Sequence, residues 1–123
     1  MFEIHPAADD KAAALAKNEG LDLPLSAMVL YDKGEEVGYI LYRLYEDTVS
    51  LLCCRYEDVA LAEWLVRAAL NAAANRGALN AVCTDDALFE LLLSLGFLQE
   101  NGRVTMWIPD FFNRPCAGCC SGC

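Results

Sequence analysis

Apolar residues along the chain change their period several times, and each change marks an element. Phe2 to His5 alternates, and Pro6 opens Ala7 to Lys17, whose Asp9 and Asp10 suit a helix start and whose Gly20 suits its end. Leu21 to Leu25, interrupted by Pro24, is a connection. Ser26 to Tyr31 and Glu36 to Tyr45 are rich in aromatic and aliphatic residues and flank the turn Asp32-Lys33-Gly34, which predicts a hairpin. Glu46-Asp47 turns the chain into a third strand, Thr48 to Cys54. From Val59 to Asn75 the apolar positions Leu61, Trp64, Leu65, Ala68, Ala69 and Ala72 recur every three or four residues. They predict an alanine-rich amphipathic helix, with Asp58 as N-cap and Gly77 as stop. Leu79 to Thr84 then reads as a buried strand and Asp86 to Leu95 as a short helix ended by Gly96. Phe97 to Glu100 and Arg103 to Ile108 read as a hairpin closed by Asn101-Gly102.

This order, β-α-β-β-β-α-β-α-β-β, predicts an α/β (α+β) fold: a mixed, mostly antiparallel, twisted central sheet with helices on both faces. The 123 residues suit one domain, expected over residues 1–109, followed by a cysteine-rich tail, 110–123. A formal net charge of -9 and a pI near 4.4 weigh against nucleic acid and anionic membranes, because both repel an acidic surface. No apolar run reaches the roughly 18 residues of a bilayer span, and Met1 to Asp10 lacks the basic start and apolar stretch of a leader. A cytoplasmic protein is expected.

The seven cysteines divide by context. Cys53, Cys54 and Cys83 interrupt apolar runs and read as small core residues. Cys116, Cys119, Cys120 and Cys123 form two C-x-x-C units back to back, with Gly118 and Gly122 supplying turns. Four thiolates suit zinc, although ligands this close in sequence crowd a tetrahedral ion. Thiol exchange and a plain tail of free thiols are the other readings, with Phe111 and Phe112 docking its base on the domain. His5, the only histidine, adjoins Pro6 without an evident nucleophile partner, and Glu46 with Asp47 fits a solvated turn better than a base for an amine.

Several phrases, in order and spacing, resemble the GNAT superfamily of acyl-CoA-dependent N-acyltransferases. They are Ile4-His5-Pro6-Ala7, Gly34-Glu35-Glu36-Val37-Gly38-Tyr39-Ile40, Asn75-Arg76-Gly77-Ala78 and Leu95-Gly96-Phe97, and the resemblance covers about residues 2 to 108. It implies a protein that takes acetyl-CoA or another acyl-CoA where the fourth and fifth strands part. By that resemblance the backbone of Cys53 and Cys54 and the amides of Val59, Ala60, Leu61 and Ala62 bind the cofactor. The acceptor is a small-molecule or protein amine, and the protein is a candidate homodimer. The family loop Q/R-x-x-G-x-G/A falls on Glu57 to Ala62, where only Ala62 fits, Glu57 replaces the basic or amide residue and Ala60 replaces a glycine. The family tyrosine four residues before Gly-Phe is Leu92. No catalytic residue is therefore assigned, and the alternative function is a non-catalytic binding or assembly module, a pseudoenzyme with a metal- or thiol-handling tail.

Overall fold

The computed structural model describes residues 2–113, so the four tail cysteines expected to bind metal lie outside the described residues. One seven-stranded sheet has the order β1-β2-β3-β4-β5-β7-β6. Strands β1 (Phe2–Pro6), β2 (Ser26–Asp32), β3 (Glu35–Tyr45) and β4 (Thr48–Arg55) form the expected antiparallel meander. Its hairpins turn on residues that reach positive φ: Lys33 (54°) with Gly34 (86°), then Glu46 (55°). β5 (Asn80–Cys83) runs parallel to β4, so the chain needs a crossover, and helix α2 (Val59–Ala74) supplies it. β7 (Arg103–Trp107) pairs antiparallel with β5 and forms an outer hairpin with β6 (Leu98–Glu100).

Alternation along the strands assigns the two faces. Ala27, Val29, Tyr39, Leu41 and Cys53 pack with Ala12 and Leu15 of helix α1 (Asp9–Glu19). Leu30, Ile40, Val49, Leu51 and Cys54 pack on the other face with α2 and with Leu88 and Leu92 of helix α3 (Asp86–Ser94). Helices thus cover both faces. Gly20, at φ 72°, closes α1 by donating its N–H to the Ala16 and Lys17 carbonyls.

Three expectations are corrected. The buried stripe of α2 is Leu61, Ala62, Leu65, Val66, Ala69, Leu70 and Ala73, rotated from the expected one. Trp64 is accordingly 44% exposed and meets Phe2 edge-on at 5.5 Å, because the row that carries Leu65, Val66 and Leu70 is the one buried against the sheet. The last strand ends at Trp107, and a short helix α4 (Ile108–Asn113) follows where no element was expected. Pro109 sits in its first turn, where a missing N–H costs nothing. Phe111 is buried in the α2-side core under the Arg67 guanidinium, 5.1 Å from the ring centre, whereas Phe112 is half exposed.

Candidate functional site

Strands β4 and β5 part company. Their ladder runs from Thr48 opposite Asn80 to Leu51 opposite Cys83, where β5 ends, while β4 continues to Arg55. From Leu52 to Arg55 no strand among the described residues pairs with the edge of β4 that faced β5. On the opposite edge β3 holds these residues in register, Leu41 against Cys53, Ile40 against Cys54 and Tyr39 against Arg55. A bulge leaves Leu52 between Leu51, opposite Tyr42, and Cys53, opposite Leu41, and so adds twist where the strands diverge. Gly38 brings β3 close to the end of β4: a Cβ there would lie 2.7 Å from the Arg55 carbonyl oxygen and 3.4 Å from Leu65 Cδ1.

A cavity of about 330 Å³ at this opening is lined by Cys54, Arg55, Tyr56, Ala87 and Leu88. A neighbouring one of about 280 Å³ runs along Tyr56, Val59, Ala87, Glu90, Leu91 and Ser94, from the start of α2 along the length of α3. Each helix start is capped by its own aspartate. Asp58 Oδ1 accepts from the Ala60 N–H at 2.8 Å and Asp85 Oδ1 from the Ala87 N–H at 3.2 Å. The Asp58 carbonyl takes the amides of Leu61 (2.9 Å) and Ala62 (3.2 Å). Of the expected cofactor-binding residues, Val59 lines the second cavity, Ala60 is exposed, and Leu61 and Ala62 carry their side chains into the core. Cys53 and Cys54 are buried on opposite faces of β4. Burial pushes their thiols up to about 11 and about 12, and that of Cys83 to about 11, so all three stay protonated near neutral pH.

On the α1 face, beside the opening, lies a polar cluster that no sequence signal marked. Glu19 accepts two hydrogen bonds from Arg55, 2.9 Å from Nε and 2.6 Å from Nη2, and another from the Tyr39 hydroxyl, which Asn18 Nδ2 also reaches at 3.5 Å. The Glu19 side chain is only 10% exposed, against 60% for Arg55. The guanidinium, with the Tyr39 hydroxyl, holds the Glu19 carboxyl down at about 2 from its ordinary 4.5, and burial with the Glu19 contact raises the Tyr39 hydroxyl.

The remaining candidates lie elsewhere. His5 is exposed and bonded to Glu3 at 2.9 Å. The Asp47 carbonyl holds the Leu79 and Asn80 amides at 2.7 and 3.0 Å, an anchor for the β5 entry, while the Glu46 and Asp47 side chains face solvent. Leu92 is fully buried in the core. Among the described residues no cluster of three or more His, Cys, Asp or Glu side chains could hold a metal, and no helix is long and apolar enough to cross a membrane. A cleft of about 450 Å³ between Asn80, Leu98, Trp107 and Asp110 lies at the far end of β5 and β7 from the opening.

No family model matches the sequence, and no curated protein matches it either. Solved structures do match in fold. A Desulfovibrio desulfuricans protein assigned to the GNAT family of acetyltransferases aligns at TM-score 0.67 and 10% identity, over 88% of this chain and 99% of that one. The PaiA N-acetyltransferase of Thermoplasma acidophilum, solved with coenzyme A, aligns at TM-score 0.63 and 12% identity, over 86% and 97%. An IAA acetyltransferase from Bacillus cereus gives 0.66 and 13%, over 87% and 99%. The chain has the GNAT fold. β4 and β5 of this GNAT fold are the fourth and fifth strands, and the place where they part is the one that the sequence resemblance reserved for the acyl carrier.

Proposed function

We propose that this chain takes an acyl-coenzyme A in the opening between β4 and β5 and delivers its acyl group to an amine. The observation that carries this is the strand edge from Leu52 to Arg55, freed where β5 stops at Cys83. Unpaired backbone of an extended strand suits the amide-bearing arm of coenzyme A, which can add to that edge as a further strand would. The backbone of Cys53 and Cys54 holds that arm, and their buried thiols take no part as nucleophiles. The cofactor supplies an activated thioester; the chain supplies position, exclusion of water by the α2 and α3 walls, and amide donors for the acyl oxygen. The α2 start is a poorer fit for the diphosphate, since Asp58 already occupies the Ala60 amide and Glu57 adds a second carboxylate. Affinity then resides mostly in the strand edge.

That poor fit also favours a second reading, a non-catalytic module that keeps the fold and works through its acidic surface or its cysteines. There Cys116, Cys119, Cys120 and Cys123 are the group to test for zinc, by metal content before and after their removal. Titration separates the two readings. An active acyltransferase is expected to melt at rising temperature with acetyl-CoA and to release free thiol in the presence of an amine panel. The triple variant Glu57→Arg, Asp58→Gly, Ala60→Gly is expected to bind more tightly. Absence of binding by both proteins at millimolar ligand would exclude the acyltransferase and leave the module.

A further inference from the structure

Arg55 offers more hydrogen-bonding capacity than its fold contacts use. A guanidinium has five N–H donors in a planar fork with two usable edges. Glu19 engages one edge, through Nε at 2.9 Å and Nη2 at 2.6 Å, and fixes the plane of the group. Glu19 is itself fixed by the Tyr39 hydroxyl, and its side chain is 10% exposed. Three donors remain on a side chain that is 60% exposed, and Arg55 is one of the residues around the cavity with Cys54, Tyr56, Ala87 and Leu88. The free end-on edge matches the two oxygens of a carboxylate.

Arg55 lies on the α1 face, directly opposite Tyr39 in the β3–β4 ladder, whereas the start of α2 is on the other face with Cys54. The α2 and α3 starts carry Glu57, Asp58, Asp85 and Asp86, which repel a carboxylate there, whereas Arg55 attracts one.

We propose that Arg55, held by Glu19 and Tyr39, recognises a carboxylate on the acceptor, so that the amine to be acylated belongs to an amino acid or other amino-carboxylate. The acceptor half of this inference rests on the acyltransferase reading; the carboxylate site does not, and the experiment keeps them apart. The full chain, labelled with ¹⁵N at arginine, is titrated with N-acetylglycine and with N-acetylglycinamide, its neutral counterpart. The expected result is a saturable shift of the Arg55 Nε–H signal with the carboxylate and none with the amide. Arg55→Lys keeps a charge near Glu19 but loses the fork, and is expected to weaken N-acetylglycine binding about tenfold or more. An equal response to the amide, or undiminished binding by a folded Arg55→Lys, overturns the proposal. So does a shift produced by inorganic phosphate or coenzyme A but not by N-acetylglycine, which would make Arg55 a cofactor contact. If the lysine variant does not fold, the carboxylate-against-amide comparison on the native protein decides alone. Cofactor binding is followed separately by melting temperature: carboxylate binding without acetyl-CoA binding defeats the acyltransferase reading and spares the site, and the converse defeats the site alone.

Discussion

At position 38 a single hydrogen atom is all the structure admits. A Cβ there would meet backbone, the Arg55 carbonyl oxygen at 2.7 Å, and backbone cannot swing aside as a side-chain tip can. Gly38→Ala is therefore expected to push β3 away from the end of β4 and cost roughly 1 to 3 kcal/mol, read as a lowered urea midpoint. A neutral result would show that the strand end yields freely. Asp58 works by a different route, its carboxylate serving the Ala60 amide at 2.8 Å. Asp58→Ala is expected to cost about 0.5 to 2 kcal/mol, while Asp58→Asn, which keeps the acceptor, costs less. Both effects come from one atom each, yet only the cap was legible in the sequence. An aspartate before a periodic apolar run announces itself, whereas the need for glycine at 38 arises from a carbonyl contributed by a different strand.

Between elements, a bond across 36 residues joins the last turn of α1 to the end of β4 through Glu19 and Arg55, with Tyr39 of β3 completing the cluster. Its pH dependence has a definite sign. The Glu19 carboxyl falls from 4.5 to about 2 on folding, so its contribution is complete above the unfolded value and disappears as pH falls through the folded one. Stability is expected to decline between about pH 4.5 and 2, and Glu19→Gln should flatten that part of the curve while costing roughly 1 to 2 kcal/mol at pH 7, Arg55 being too exposed for a fully buried pair. Identical acid limbs for the two proteins would deny Glu19 this role. Nothing in the local pattern marks such a cluster, because its partners stand 20 and 36 residues apart and each looks like an ordinary surface or strand residue alone. The elements it joins were plain from period and turn chemistry, with the strands and helices falling within a few residues of expectation. The helix α4 was hidden by its own proline, which reads as an end although it opens a first turn, and Trp64 by its apolar character, which periodicity counts without knowing which row of α2 faces the sheet.

For the whole molecule, the question is where the folded unit ends. Sequence character changes after Pro109, and a domain of residues 1–109 was expected on that ground, but the packing continues further: Phe111 is 4% exposed, joins the α2-side core and lies under Arg67. Burying one phenylalanine is worth about 2 to 3 kcal/mol, and removing it leaves the neighbouring side chains facing water. We propose the boundary at Asn113 and test it by two truncations. A chain ending at Asn113 retains every packed residue described and is expected to melt within a few degrees of the full-length protein. One ending at Pro109 loses Phe111 and with it the ring under Arg67, and in a domain of this size should melt lower by on the order of 10 °C. Equal melting of the two truncations would return the boundary to residue 109. A large loss on removing only residues 114–123 would instead make the cysteine segment part of the folded unit, and its thiols structural.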